Sequence, residues 1–166
     1  MPERDIRLWG DPVLRSKADP ITVFDDSVAA LAADLVDSSL PEGRAAVAAP
    51  QIGVGLRAFG YDLDVRTGYV INPEIVELGG ALRDIDEGCL SVPGLFFLTP
   101  RWEFARVRGV DAQNNPIEIS GTEVFAQMLQ HEVAHLDGQV YIQTLPGERR
   151  REAMKAIRSA DWFLAS

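Results

Sequence analysis

The feature that most limits what this chain can fold into is the run His131-Glu132-Val133-Ala134-His135. The sequence has only two histidines, and both stand in it, one helical turn apart. On a helix, side chains at i and i+4 project from nearly the same side. The helical period extends over residues 122–136. Val124 and Met128 share the side of the imidazoles, whereas Phe125, Leu129, Val133 and Leu136 make a separate apolar stripe suited to a core. Glu132 falls between the two. The segment reads as a helix with one stripe to bury and one side presenting two imidazoles, or as a surface helix with incidental histidines.

Two imidazoles at this spacing can chelate one divalent metal, with the adjacent glutamate in reach of a water at the ion. A third ligand is then needed. No histidine follows His135, which removes a three-histidine set. Glu148 and Glu152 follow, but beside Pro146-Gly147 and a basic run they read as a solvated helix start. Upstream, Glu87-Gly88-Cys89-Leu90-Ser91 has a turn-like setting before Val92-Pro93-Gly94. Cys89 is the sole cysteine, so an internal disulfide is excluded, and it is either an inert core thiol or a ligand. Its thiolate would complete a Cys/His/His site with an open fourth position, the arrangement of a catalytic centre.

The rest of the chain supplies a scaffold. Residues 25–39 predict a helix, with Asp25 and Asp26 in its first turn and Val28, Leu31, Ala32, Leu35 and Val36 on one face. Short strands are predicted at 56–61, 69–71, 75–78, 104–111 and 117–119, with turns at Gly79-Gly80 and Asn114-Asn115-Pro116. A last helix spans about 148–164. Helices flanking mainly antiparallel strands make an α+β fold, and 166 residues suit one domain over 1–166.

Composition narrows the function classes. Apolar residues are 46% and charged residues 25%, which excludes global disorder and coiled coil. No apolar run reaches the ~20 residues of a membrane span. The opening Met1-Pro2-Glu3-Arg4-Asp5 lacks the pattern of a secretory signal, so the expected location is the cytoplasm. A net charge of −9 argues against specific DNA binding. Residues 146–166 are net +2 through Arg149, Arg150, Arg151, Lys155 and Arg158.

Three segments together resemble the peptide deformylase family. They are Gly43-Arg-Ala-Ala-Val-Ala-Ala-Pro-Gln51-Ile-Gly53, Glu87-Gly-Cys-Leu-Ser91 and Gln130-His-Glu-Val-Ala-His-Leu-Asp-Gly138. The opening Ile6–Arg15 is also similar to the family's start, so the resemblance runs from 6 to about 145. It implies antiparallel sheets around a central His-Glu-x-x-His helix, with N-terminal and C-terminal helices. It implies removal of formyl from the N-terminal formyl-methionine of new bacterial polypeptides. The implied cofactor is one Fe²⁺ per chain, with Zn²⁺, Ni²⁺ or Co²⁺ as substitutes, held by Cys89, His131 and His135. Glu132 is the implied general base toward a metal-activated water, with Gln51 and the Leu90 backbone N–H as oxyanion donors.

Substrate contacts are expected from Ala45, Ala46, Val47, Phe96, Val124, Gln127 and Met128. Glu87 is expected to orient the Cys89 loop or a ligand, or to be a solvated loop acid. Gly88 is expected in a tight turn, and Ser91 as a local cap. The basic C-terminal helix could contact the ribosome transiently or simply be solvated. The chain departs from the family pattern at Arg44 and Ala46, where glycines are usual, at Val47 for leucine, and at Ala134 for aspartate. The Ala46 methyl would narrow the pocket or strain the loop if φ there must be positive. That keeps open another N-formyl or N-acyl substrate, or an inactive paralogue. Arg44 is expected to point into solvent.

Overall fold

The computed structural model describes residues 4–164. The first three residues of the leader reading, and both extreme ends of the expected 1–166 unit, lie outside them.

Helix α1, Asp26–Ser39, begins where Asp25 caps it by accepting a hydrogen bond from Ser27 N–H. It buries Val28, Leu31, Ala32 and Leu35 of the predicted face, with Val36 half-buried. Five strands follow: β1 Ala46–Ala48, β2 Ala58–Leu63, β3 Arg66–Cys89, β4 Val92–Val110 and β5 Pro116–Thr122. They form one sheet in the order β1-β2-β3-β4-β5, and every neighbouring pair is antiparallel. Helix α2, Glu123–Leu136, carries the His-Glu-x-x-His run, and α3 Gly147–Arg158 and α4 Asp161–Leu164 end the described chain. The α+β reading therefore holds.

The strand boundaries differ from those predicted. The pieces at 69–71 and 75–78 belong to one strand of 24 residues, paired with a 19-residue partner. Gly79-Gly80 is not a turn. The β3–β4 register slips between Gly79 and Leu82, and Gly80 has φ +73. Glycine supplies that left-handed bulge without strain, and a Cβ there would stand 2.9 Å from Glu103 Cβ. Asn114 does lie in a turn, with φ 64, where Asp111 Oδ1 accepts from the Gln113 and Asn115 N–H groups.

The predicted apolar stripe of α2 is buried: Phe125, Leu129, Val133 and Leu136 pack with Phe59, Tyr61 and Val107. α1 covers a second cluster that includes Val47, Ile52 and Ile71. The single C-terminal helix expected at 148–164 is broken. Ser159 caps α3, and the chain restarts at Asp161, which turns Trp162 and Phe163 back onto Trp9, Val13 and Leu14.

The outer part of the β3–β4 ribbon projects beyond the rest of the sheet. β2 pairs with β3 only as far as Ile71, and β5 with β4 only from Phe104. There α2 takes the place of a neighbouring strand. Gln130 Oε1 accepts from Trp102 N–H, and Gln130 Nε2–H donates to Trp102 O, both at 3.0 Å.

Candidate active site

Three elements converge on one point. The end of β3 brings Glu87, Gly88 and Cys89. α2 brings His131, Glu132 and His135. A 3-10 turn, Ala49–Ile52, brings Gln51. The donor atoms of Cys89, His131 and His135 all lie within 4.8 Å of one another. Cys89 Sγ is 3.3 Å from His135 Nε2.

Glu87 is not a solvated loop acid. It is 4% exposed and lies in a strand. Its Oε2 is 2.6 Å from His131 Nδ1. Arg101 Nε–H and Nη2–H donate to the two carboxylate oxygens at 2.7 and 2.5 Å, and Gln127 Nε2–H donates to Oε1 at 3.3 Å. Burial alone would raise the Glu87 pKa, but the hydrogen bonds from Arg101 and His131 and their charges bring it down to about 2. An ionised Glu87 holds the His131 ring with Nε2 directed at the centre.

The electrostatics of the centre suit a cation. Burial disfavours a charge on His131, yet Cys89, Glu87 and Glu132 together push its pKa well above the ordinary value. His135 goes the other way, lowered by burial and by the neighbouring charge on His131. A soft sulfur and two imidazole nitrogens, in surroundings that favour one positive charge, fit a divalent transition metal with an open side.

Glu132 is 3% exposed, and burial raises its pKa to about 7, with the charge on His131 opposing. Its Oε1 has no protein partner among the described residues, and Oε2 is 3.8 Å from His131 Nε2. Gln51 is held rigidly. Its Oε1 accepts from Ala48 N–H at 3.0 Å, so Nε2 faces Cys89 Sγ at 3.7 Å and Ser91 Oγ at 3.2 Å. Ser91 thus supports Gln51 rather than merely capping its own loop.

These groups open onto a cavity of about 430 Å³. Ala45, Ala46, Phe96, Val124, Gln127 and Met128 line it, as does Leu90 on the turn joining β3 to β4. Val47 does not. Strand alternation turns its side chain away from Ala46 and Ala48 into the core under α1, where it is fully buried. Ala46 pairs with Tyr61 in β1 and is not among the positive-φ residues, so its methyl brings no backbone strain. Arg44 does not simply point into solvent: its Nη1–H donates to Ser38 O at the end of α1, 3.0 Å away. Gly88 lies in a strand rather than a tight turn. Its Cβ would stand 2.5 Å from Phe96 Cε1, so the missing side chain makes room for that ring. Gln127 spends its amide on the protein, donating also to Asp86 O at 2.8 Å.

Sequence reasoning missed Arg101, Leu63 and Tyr141. Arg101 meets Glu87 only through the register of a bulged ribbon, which no local pattern announces. Tyr141, whose ring stacks on His131 at 6.0 Å, follows α2 in a 3-10 turn with no distinguishing neighbour. Leu63 reaches the cavity from the end of β2.

An α+β fold with a Cys/His/His donor set, a buried glutamate beside it and an adjoining pocket is the architecture of a hydrolase built around one metal ion. Comparison with known proteins makes this specific. The sequence profile of polypeptide deformylases matches residues 3–151. Peptide deformylase of Acidothermus cellulolyticus is 43% identical over 162 residues, covering 98% of this chain and 89% of that protein. That of Mycolicibacterium vanbaalenii is 45% identical over 179 residues, covering 98% and 91%. The crystal structure of peptide deformylase from Thermus thermophilus superposes with a TM-score of 0.87 at 37% identity, over 94% of this chain and 93% of that one. The chain belongs to the polypeptide deformylase family.

Proposed function

We propose that this chain, as one catalytic domain over residues 1–166, removes the formyl group from the N-terminal formyl-methionine of newly synthesised polypeptides in the cytoplasm. The observation that carries the reading is the convergence of Cys89, His131 and His135 with Glu132 beside them and the Gln51 amide facing the same point. Cys89, His131 and His135 would hold one Fe²⁺, with Zn²⁺, Ni²⁺ or Co²⁺ as substitutes. Such an ion, when bound, makes water more acidic and polarises a carbonyl oxygen.

The chain's own residues supply the rest. Glu132, buried and with one oxygen unpartnered, takes the proton of the attacking water and later returns it to the leaving amine. Gln51 Nε2–H and the Leu90 N–H donate to the oxyanion that develops on the formyl oxygen. Because Ala48 N–H already fixes the Gln51 amide, little reorganisation is needed as charge develops. Glu87 keeps His131 in one tautomer and orientation. Met128, Val124 and Phe96 give the methionine side chain an apolar wall, and the thioether of Met128 adapts to its shape.

Ala46 is the main reason to consider another acyl substrate or an inactive paralogue. Its ordinary backbone within β1 favours neither. The test is release of formate from formyl-Met-Ala-Ser by protein loaded with Fe²⁺ without oxygen, beside Glu132→Ala. Turnover that the substitution abolishes supports the assignment; no turnover with one equivalent of metal bound overturns it.

The ribosome contact rests on α3. Arg149 is committed to Asp84 and Leu98 O, and Arg151 to Glu148. Arg150, Lys155 and Arg158 remain exposed on the same helix. Co-sedimentation with ribosomes should fall steeply with salt if these residues dock on RNA; sedimentation indifferent to salt would count against it.

A further inference from the structure

The segment from Ser91 to Leu95, running from the closing turn of the β3–β4 ribbon into β4, borders the cavity through Pro93, Gly94 and Leu95. It has little of its own to fix it. Pro93 has no N–H, and Gly94 has φ +79, in the region only glycine enters freely. Its carbonyls are held instead by three distant parts of the chain. Trp9 N–H donates to Ser91 O at 2.8 Å, Trp162 Nε1–H to Pro93 O at 3.0 Å, and the Tyr141 hydroxyl to Leu95 O at 3.2 Å.

These anchors differ in kind. The first is backbone to backbone and survives any side-chain change. The third belongs to the site already described, because Tyr141 also stacks on His131. The second comes from α4, beyond residues 3–151 that the family profile covers. Trp162 is half-buried in the cluster that holds Trp9, Leu95 and Phe97, and its ring meets Phe163 edge-on at 5.9 Å. Packing alone would not ask for an indole there. The N–H does, since it meets the Pro93 carbonyl, between the other two anchors.

We propose that Trp162 is a positioning residue for the substrate cavity. Its indole N–H fixes the Pro93 carbonyl and so holds residues 93–96 against the bound formyl-methionyl chain. The C-terminal segment thereby sets how tightly substrate is held. It does not set how fast the amide breaks, because the indole N–H is spent on Pro93 O and not on Cys89, His131, His135, Glu132 or Gln51. The proposal rests on the deformylase reading for the identity of the substrate.

The test compares Trp162→Phe with the unaltered 166-residue chain, both loaded with Fe²⁺. Phenylalanine keeps an aromatic ring in the cluster and removes the donor. KM for formyl-Met-Ala-Ser should rise about 3- to 10-fold, the range of one neutral hydrogen bond, with kcat within about 2-fold. Calorimetry with the product peptide Met-Ala-Ser should show affinity weakened by the same factor. Met154→Ala is the control: Met154 packs in the same cluster, and its truncation should lower Tm and leave KM unchanged. Unchanged KM and product affinity in Trp162→Phe would overturn the proposal. So would an equal KM rise in Met154→Ala, since general loosening would then suffice. If the unaltered protein releases no formate, the deformylase reading fails, and calorimetry still reports whether Trp162 governs peptide binding.

Discussion

The ribbon side and the helix-core side of the donor set are held by different forces. On the ribbon side, His131 is bound to Glu87, and Glu87 is bound in turn by Arg101 and Gln127. Every oxygen of that carboxylate is occupied, and removing a member leaves another buried without its partner. On the other side, His135 is fully buried, and its Nδ1 has no partner among the described residues. Its orientation comes from the packing of α2, whose apolar stripe is locked into the core one turn away. A ligand can thus be aimed by hydrogen bonds or by steric confinement. The first is sensitive to charge and the second to volume.

The sharpest way to break this contrast is Arg101→Leu. It leaves Glu87 buried without its guanidinium partner, so stability should fall by about 3–5 kcal/mol, read by urea unfolding. A smaller loss would mean that Gln127 and His131 carry Glu87 without the guanidinium. Leu129→Ala attacks the other side. A cavity in the α2 stripe should cost roughly 2–5 kcal/mol and, by loosening the packing that aims His135, weaken Zn²⁺ binding in the folded protein, read by chelator competition; unchanged affinity would mean that the stripe does not aim His135. Glu87→Gln keeps the shape and removes the charge. Zn²⁺ affinity should fall ~10–100-fold in the same competition assay; if it does not, packing alone aims His131. Gln127→Leu is the mildest, with affinity expected to drop less than about 5-fold, because it removes one long hydrogen bond to Glu87.

The same division explains what could be read from the sequence. α2 was legible because one element carried both signals, an apolar stripe at helical period and two imidazoles on another side. Cys89 was legible because elimination left a single soft donor. Arg101 was not, since its partnership with Glu87 depends on a register that slips between Gly88 and Cys89. Gly79-Gly80 misled because a left-handed glycine serves a bulge as well as a turn. Val47 misled because a motif gives neighbours in sequence, whereas a strand sends neighbours to opposite faces. The break at Ser159 escaped because nothing in the local pattern opposes a continuous helix; what bends the chain back is the apolar cluster that receives Trp162 and Phe163.

The Gln130 amide that brackets Trp102 has a consequence of another kind. A projecting two-stranded ribbon offers unpaired N–H and C=O groups along its flanks, and such flanks recruit strands from other molecules. One amide side chain, presenting an acceptor and a donor at the spacing of a peptide unit, removes that invitation at Trp102. A change made at Gln130, beside His131, would therefore reopen the ribbon edge at Trp102 and should raise the tendency to aggregate.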